Sequence, residues 1–335
     1  MTAPVSAAQA EHAAGILRTT TAVRDRCGQL LAHARRGESA WWTVDDARIA
    51  DASRAVADAT RERYPKLQIP YHSRWRHFEA GGVDRKAKLD RLLEGQDTVI
   101  KAGAMVDLTV VSVLLDAGAG AEWKYVEPAT GKTLTRSEGL AVASYHAFTS
   151  GLFSSDKAHP LQADAAALRA LVGDHLASAF QVGESNPMVG LEGRAVLLRR
   201  LGEAMSEQPE VFGEDGRPAG IFDMLVTPHG SQVPHTADVT AHAILSLLLM
   251  SLSGIWPAGN HIGGVPLGDC WRHSAVRGEG ASDGWVPFHT LSQWLTYSLL
   301  EPFAWAGVHV RGLDALTGLP EYRNGGLPVR PAGRR

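Results

Sequence analysis

Apolar residues recur at helical spacing along most of this chain, and few stretches alternate in the way that marks strands. The run 97–116 is apolar on most sides, which predicts a helix buried in the middle of the fold. Residues 45–63 predict an alanine-rich helix that Thr43 can cap. Thr135 and Glu138 stand at capping-box spacing before another predicted helix. The remaining helical patterns cover residues 137–150, 164–180, 191–205, 237–253 and 288–306.

The strand signal is confined to two short places. Residues 123–125 and 132–134 flank a turn-rich piece, which predicts one β-hairpin placed before a helix. A second short ribbon is expected around residues 261–267. The sequence therefore predicts a mainly α protein with a small β-hairpin element.

Nothing in the sequence divides the chain into separate domains. Its 335 residues contain no repeat of 20–50 residues and no low-complexity linker. We expect residues 1–335 to form a single helical domain, with an N-terminal helical part to about residue 70 and a core over residues 71–335.

Charge and cysteine content exclude several classes of function. The formal net charge of −3 argues against a surface that coats nucleic acid, which needs a basic excess. Cys27 and Cys270 are the only cysteines, so a disulfide scaffold and a four-cysteine zinc site are excluded. The apolar run 243–256 is too short to span a bilayer, and residues 1–10 lack the pattern of a secretory signal. We expect a cytoplasmic protein without nucleic-acid or membrane partners, and its oligomeric state stays open.

One apparent nucleotide motif fails on inspection. Gly131, Lys132 and Thr133 resemble the end of a phosphate-binding loop, but Val126 stands where the first glycine of that motif is required. A hairpin turn is the better interpretation. His229 and His235 lie in a polar loop without the spacing of metal ligands, so surface positions are expected for both.

Two stretches in the first half of the chain carry candidate chemistry. Residues 71–85, YHSRWRHFEAGGVDR, place arginines and histidines among aromatic residues. Arginine binds phosphate or carboxylate with paired hydrogen bonds, and aromatic faces stack on flat ligands, although an ion-paired surface loop explains the pattern equally well. Asp107 and Asp116 bracket an apolar helix but project from opposite sides of it, so structural ion pairs are favoured over a paired-carboxylate site.

Two further stretches lie near the C-terminal end. His289 and Gln293 are four positions apart and are expected on one helix face. A second stripe carries Trp294, Tyr297 and Glu301, and a buried stripe carries Leu291, Leu295 and Leu299. In residues 316–327, LTGLPEYRNGGL, a proline and two glycines frame Glu321, Tyr322, Arg323 and Asn324. Such a frame fits a held carboxylate or an ordinary surface turn.

Together these stretches resemble a family of fungal and bacterial proteins tied to uracil catabolism. The similar segments are RWRHFEAGGVDR, DLTVVSVLLDAGAGAEWKY, RSEGLAVASYHAFTSGLFS, GDCWRH, VPFHTLSQWLTYSLLEP and LTGLPEYRNGGL, which extend from residue 74 to residue 327. The resemblance implies a route in which uracil becomes its ribonucleotide, the ring is opened, and urea is recovered from a ureido-ribose intermediate. Members of that family usually continue past the last segment, so this chain is expected to be truncated at its C-terminus.

A second resemblance bears on mechanism. The order of features is similar to that of queuosine-salvage nucleosidases, which are helical proteins with a DNA-glycosylase-like fold. In those proteins an Asp-Tyr-Arg turn carries the catalytic carboxylate, and here the turn reads Glu321-Tyr322-Arg323. The resemblance implies an N-glycosidic hydrolase of helical, DNA-glycosylase-like architecture, with Glu321 as the catalytic residue.

The implied substrate is a small ribosyl phosphate, ureido-ribose phosphate, which is split into urea and ribose phosphate. Neither a cofactor nor a metal is required. The residues expected to bind substrate are Arg74, Trp75, Arg76, His77, His289, Gln293, Trp294, Tyr322, Arg323 and Asn324. Within this set, Arg74, Arg76 and His77 are candidates for the 5′-phosphate or the ureido group.

Two alternatives remain at this point. A metal-dependent amidohydrolase of the same route would use ligands such as His77, His273, His289 and Asp269. A non-enzymatic scaffold would bind another protein of the route.

Overall fold

The computed structural model describes residues 4–226 and 237–320. From the N-terminus to the middle of the chain, the helices and strands are α1 Ala7–Leu17, α2 Thr20–Arg35, α3 Ile49–Arg63, α4 Arg74–Phe78, α5 Arg85–Leu92, α6 Thr98–Leu114, β1 Tyr125–Val126, β2 Thr133–Leu134, α7 Arg136–Thr149, α8 Ala165–Arg169 and α9 Gly173–Ala179. They continue with α10 Leu191–Ser206, α11 Pro209–Phe212, α12 Gly220–Val226, β3 Asp238–Thr240, α13 Ala241–Leu252, β4 His261–Ile262, β5 Val265–Pro266, β6 Cys270–Arg272, β7 Trp285–Pro287, α14 Thr290–Trp305 and β8 His309–Arg311.

The predicted mainly α class is confirmed. Helix α6 forms where the continuous apolar run predicts it, and the side chain of Asp97 caps it by accepting a hydrogen bond from the backbone N–H of Ile100. Almost the whole of α6 is buried, as expected for a helix that is apolar on most sides. The DNA-glycosylase-like architecture stays a prediction.

Three helix boundaries differ from the prediction. The pattern at residues 164–180 forms two helices, because Val172 is extended and lets both Leu171 and Leu176 turn into the core. The pattern at 237–253 begins as strand β3 before α13. Thr135 precedes α7 but makes no side-chain cap, so the predicted capping box is wrong.

The cap predicted for Thr43 is also replaced. The side chain of Asp45 caps instead, by accepting a hydrogen bond from the backbone N–H of Ala47 at the start of a short 3-10 turn that leads into α3.

Small strand pairs complete the fold. Strands β1 and β2 form the predicted antiparallel hairpin, and β4 and β5 form the predicted second ribbon. Two further pairs, antiparallel β6–β7 and parallel β3–β8, were not predicted, because each strand has only three residues and its partner lies far along the chain or behind a loop. Within the described ranges, no helix is long and apolar enough to cross a membrane.

The contacts group the chain into two compact units. Unit 1 comprises Met1–Tyr71, Asn260–Thr290 and Leu316–Arg335. Its core packs alanines of α1 and Leu17 against Ile262, Leu267 and Trp285 from the small strands. In this unit α3 buries none of its side chains.

Unit 2 comprises His72–Gly259 and Leu291–Ala315, and helix α6 is its central element. Helices α4, α7, α10 and α12 all contact α6. Helix α14 is buried on every side from Ser292 to Phe303 except at Tyr297 and Glu301, which are half-buried. The predicted buried positions Leu295 and Leu299 are confirmed, whereas Leu291 is only partly covered.

Candidate functional site

Helix α4 carries four of the predicted site residues into unit 2. Ser73 caps this five-residue helix by accepting a hydrogen bond from the backbone N–H of Trp75. The backbone N–H of Arg74 donates to the hydroxyl of Ser298 on α14 at 2.9 Å. The start of α4 is therefore fixed to the helix that carries Trp294.

The Arg74 side chain has no exposure to solvent and lies in a shell of polar partners. Its Nε donates to the hydroxyl of Ser112 on α6 at 2.6 Å. Its Nη1 donates to the carbonyl of Ser137 at 3.2 Å and lies 3.1 Å from Oδ1 of Asp116. The Asp116 carboxylate balances the charge of the buried guanidinium. Without it, an unpaired charge at this depth would strongly destabilise the fold.

Hydroxyl groups extend this shell. The Ser112 hydroxyl lies 2.6 Å from the Ser144 hydroxyl, which donates to the carbonyl of Ala141 at 2.8 Å. Ser137 donates through its hydroxyl to Oδ2 of Asp116 at 3.2 Å. Helices α6 and α7 thus share a polar core around Arg74.

His77 completes the set as a neutral ring. Its Nδ1 accepts a hydrogen bond from Nη1 of Arg74 at 3.3 Å. Burial, and then the nearby Arg74 guanidinium, lower the pKa of His77 to about 4. The imidazole is therefore uncharged at neutral pH and adds no positive charge to the cluster.

Trp294 on α14 packs against the same residues. The centre of the Arg74 guanidinium lies over its ring at 5.7 Å, a cation–π distance. The rings of His77 and His72 lie 5.8 and 6.2 Å away. Within the described ranges, Nη2 of Arg74 and Nε1 of Trp294 are buried without a hydrogen-bond acceptor. We call Arg74, His77, Asp116 and Trp294 the Arg74 cluster.

Arg76 is already engaged by two carboxylates. Its guanidinium lies 2.6 Å from Glu301 and 2.7 Å from Glu79. The Ser73 hydroxyl donates to the second oxygen of Glu301, and burial raises the pKa of that carboxyl. These contacts join α4 to α14, so Arg76 has a structural partner before any ligand arrives.

Trp75 lies in the packing of unit 2. Its ring meets Phe78 and Trp305 edge-on, with centroids 5.1 and 4.6 Å apart. Only 2% of Trp75 is exposed. Its expected role in substrate binding stays a prediction, and its observed contacts are those of core packing.

His289 does not lie on the helix where it was predicted. Helix α14 begins at Thr290, and His289 before it has a left-handed backbone, with φ at 49°. Its Nε2 donates to the carbonyl of Leu17 in unit 1 at 2.8 Å, and burial lowers its pKa. The predicted common helix face with Gln293 is therefore wrong, and Gln293 is fully buried in the part of α14 that belongs to unit 2.

The remaining predicted residues lie outside the described ranges. These residues are Glu321, Tyr322, Arg323 and Asn324, together with His229 and His235. Because a small ribosyl phosphate must touch its carboxylate and its other ligands at once, the sequence also predicts that the turn 320–326 faces residues 71–78, and this stays a prediction.

Residues 16–330 match the family described as Protein of unknown function (DUF1688). The chain belongs to this family.

Two curated relatives of this DUF1688 chain carry informative names. "Uracil catabolism protein 4" of Lachancea kluyveri is 41% identical over 269 residues, which cover 77% of this chain and 61% of the relative. "Protein urg3" of Schizosaccharomyces pombe is 44% identical over 265 residues, which cover 78% of this chain and 61% of that protein. The match therefore spans about three fifths of each relative. The predicted likeness to a family tied to uracil catabolism is confirmed, and the likeness to queuosine-salvage nucleosidases stays a prediction.

The ion-pair interpretation of Asp107 and Asp116 is confirmed in this DUF1688 chain. Asp116 pairs with Arg74, and Asp107 pairs with Arg217 at 2.7 Å. The polar shell formed by Ser112 and Ser144 was not predicted. The sequence indicates it only through a serine inside each of two largely apolar helices.

A second buried polar group was also missed. Glu127 accepts hydrogen bonds from Arg85 at 3.0 Å, from Thr130 at 2.7 Å and from His146 at 2.9 Å. Burial works against the charged form, but these donors outweigh it and lower the pKa of Glu127 to about 2. The group fixes the β1–β2 hairpin to α5 and α7, and the hairpin expected at Gly131-Lys132-Thr133 is confirmed.

Metal ligation was the alternative chemistry. Among the residues that the structure describes, no three His, Cys, Asp or Glu side chains are grouped so that they could hold a metal ion. Asp269, one of the suggested ligands, instead accepts hydrogen bonds from the backbone N–H of Thr290 and the indole of Trp271.

Proposed function

We propose that this DUF1688 chain takes part in uracil catabolism as an N-glycosidic hydrolase that splits ureido-ribose phosphate into urea and ribose phosphate. The names of the two curated relatives support the catabolic context. The reaction class comes from the similarity of the Glu321-Tyr322-Arg323 turn to that of the nucleosidases.

The observation that carries the proposal is the Arg74 cluster. One nitrogen of its buried guanidinium, Nη2, and the indole nitrogen of Trp294 lack acceptors within the described residues, and the two side chains lie against each other. Native proteins seldom leave buried donors unpaired without a functional reason. A small planar polar ligand is of the right kind to satisfy them.

The chemistry follows from the bond that breaks. Cleavage of the C1′–N bond leaves positive charge on the ribose ring in an oxocarbenium-like transition state. In the proposal, the Glu321 carboxylate stabilises that charge and accepts a proton from the attacking water. The water oxygen bonds to C1′, the C1′–N electron pair stays with the ureido nitrogen, and that nitrogen takes up a proton as urea leaves.

The two arginines of α4 contribute unequally in this scheme. Arg76 is held by Glu301 and Glu79, so we assign it to the frame that positions α4. Each of the two arginines has one buried nitrogen without an acceptor among the described residues, Nη2 in Arg74 and Nε in Arg76. We assign Arg74 to substrate because it has one carboxylate partner and lies over the Trp294 ring. Arg323 and Asn324 are assigned to the sugar hydroxyls or the phosphate.

Product analysis tests the proposal. Purified protein is incubated with ureido-ribose 5-phosphate, and urea and ribose 5-phosphate are measured together. We expect the two products in equal amounts, and no reaction with intact uridine 5′-monophosphate as the control substrate. Absence of urea from the ureido substrate would contradict the proposed function.

A further inference from the structure

We infer that the Arg74 cluster is a subsite for the uncharged ureido or carboxamide end of a ligand and not for its phosphate. The inference rests on the proposed function only for the identity of the whole substrate. The inference itself states which chemical group of a ligand binds at the Arg74 cluster in unit 2.

Charge balance is the first argument. Arg74 is completely buried, and its guanidinium is already matched by Asp116 at 3.1 Å. A phosphate group would bring one or two further negative charges beside an arginine that has no access to solvent and already interacts with two carboxylates, Asp116 and Glu138. His77 does not supply that charge, because it accepts a hydrogen bond from Arg74 and is neutral. The cluster thus favours a neutral ligand group.

The pattern of unused donors and acceptors is the second argument. Nη2 of Arg74 and Nε1 of Trp294 are N–H donors without acceptors in the described part of the chain. Oδ1 of Asp116 is ion-paired with Arg74 but accepts no hydrogen bond of its own there. A ureido group offers a carbonyl oxygen that accepts from two donors, and beside it an N–H that donates to a carboxylate. A phosphate offers acceptors only.

The grouping of these atoms is the third argument. Buried indole N–H groups without an acceptor also occur at Trp75 and Trp285. An arginine lies over Trp285 as well, Arg272 at 4.2 Å, but it is exposed. Trp294 differs because the arginine over its ring, at 5.7 Å, is buried and has an unused donor of its own. The ring also gives a flat surface, which suits a planar group.

The inference is tested on the wild-type protein by the indole N–H signals in a ¹H–¹⁵N NMR spectrum. The variants Trp294→Phe, Trp75→Phe and Trp285→Phe each remove one signal and so assign it. We expect N-methylurea, added well below denaturing concentration, to shift the Trp294 signal and leave those of Trp75 and Trp285 in place. Inorganic phosphate at the same concentration should shift none of the three.

Two outcomes overturn the inference. One is a Trp294 signal that moves with phosphate as much as with N-methylurea. The other is a Trp294 signal that moves with neither probe. As a second measurement, Trp294→Phe keeps an aromatic ring but loses the indole N–H, so binding of N-methylurea should weaken about tenfold, as expected for one lost hydrogen bond.

The test separates this inference from the proposed function. A Trp294 signal that responds to N-methylurea in a protein that releases no urea from ureido-ribose 5-phosphate would support the subsite and contradict the hydrolase. Urea release by a protein whose Trp294 signal ignores N-methylurea would support the hydrolase and contradict the subsite.

Discussion

At the residue scale, burial decides the chemistry of the Arg74 cluster. Arg74 keeps its charge in the interior because Asp116 is beside it and because Ser112 and Ser137 accept its hydrogen bonds. The same burial keeps His77 neutral. One arginine, one carboxylate and one uncharged imidazole therefore leave a site that is polar and has no net charge.

His77 gives stability a pH dependence. Its pKa is about 4 in the folded protein and near 6.5 in the unfolded chain, so between these values the unfolded chain binds a proton that the folded one does not. The free energy of unfolding therefore falls as the pH drops from 6.5 towards 4 and is unaffected by this group above that range. From pH 7 to pH 5 we expect a loss of at most about 2 kcal/mol from His77.

Guanidinium denaturation of the wild type and of His77→Asn at pH 7 and pH 5 measures this loss. Asparagine retains an acceptor for Arg74 but does not titrate, so the loss between the two pH values should be smaller in the variant. Equal losses in both proteins would show that His77 does not titrate with a lowered pKa.

Glu321→Gln tests the proposed catalytic carboxylate. Loss of one charge that stabilises a transition state typically lowers the rate about 10²–10³-fold. We expect that loss in kcat for urea release, with substrate binding changed by no more than a few-fold. Steady-state kinetics and equilibrium binding of the substrate to the variant measure the two effects. A variant that keeps more than about a tenth of the rate would contradict the assignment of Glu321.

At the element scale, the fold depends on a few long-range polar contacts. Asp107 on α6 is fully buried and accepts hydrogen bonds from the backbone N–H groups of Ala163 and Ala219 and from Arg217. These contacts fix the segments before α8 and α12 to the central helix.

Replacement of Asp107 should therefore be costly. Asp107→Ala leaves two buried N–H groups and a guanidinium without their acceptor, and we expect a loss of about 3–5 kcal/mol in the free energy of unfolding. The matched control is Asp58→Ala, because Asp58 pairs with Arg61 on the exposed surface of α3. Denaturant unfolding of the two variants should show a large shift for Asp107→Ala and no measurable shift for Asp58→Ala. A shift of similar size in both would contradict the anchoring role of Asp107.

Some elements of the fold could be predicted from the sequence and others could not. Helix α6 was predictable, because its apolar run and the cap at Asp97 are local signals. The start of α14 was not, since the carboxylate of Asp269, 21 positions earlier, caps it at Thr290 and leaves His289 outside the helix. The partners of Arg74 were hidden for the same reason. Ser112 and Ser137 lie 38 and 63 positions away, beyond the reach of any periodic pattern.

At the scale of the whole molecule, the predicted chemistry is distributed over both units. The Arg74 cluster with Gln293 belongs to unit 2, whereas His289 belongs to unit 1, and Glu321 lies outside the described residues. The relatives are also longer than this chain, which matches 61% of each. We propose the hydrolase activity for this chain, and its central claim is that the C1′–N bond of the substrate breaks.

The fate of the ureido carbonyl carbon tests that claim most directly. Ureido-ribose 5-phosphate labelled with ¹³C at this carbon is incubated with the protein and followed by ¹³C NMR. Cleavage of the C1′–N bond predicts that the label moves from the substrate signal to that of free urea, with none in bicarbonate. Label that appears in bicarbonate would place the cleavage at the ureido carbonyl, as in an amidohydrolase, and would contradict the N-glycosidic mechanism.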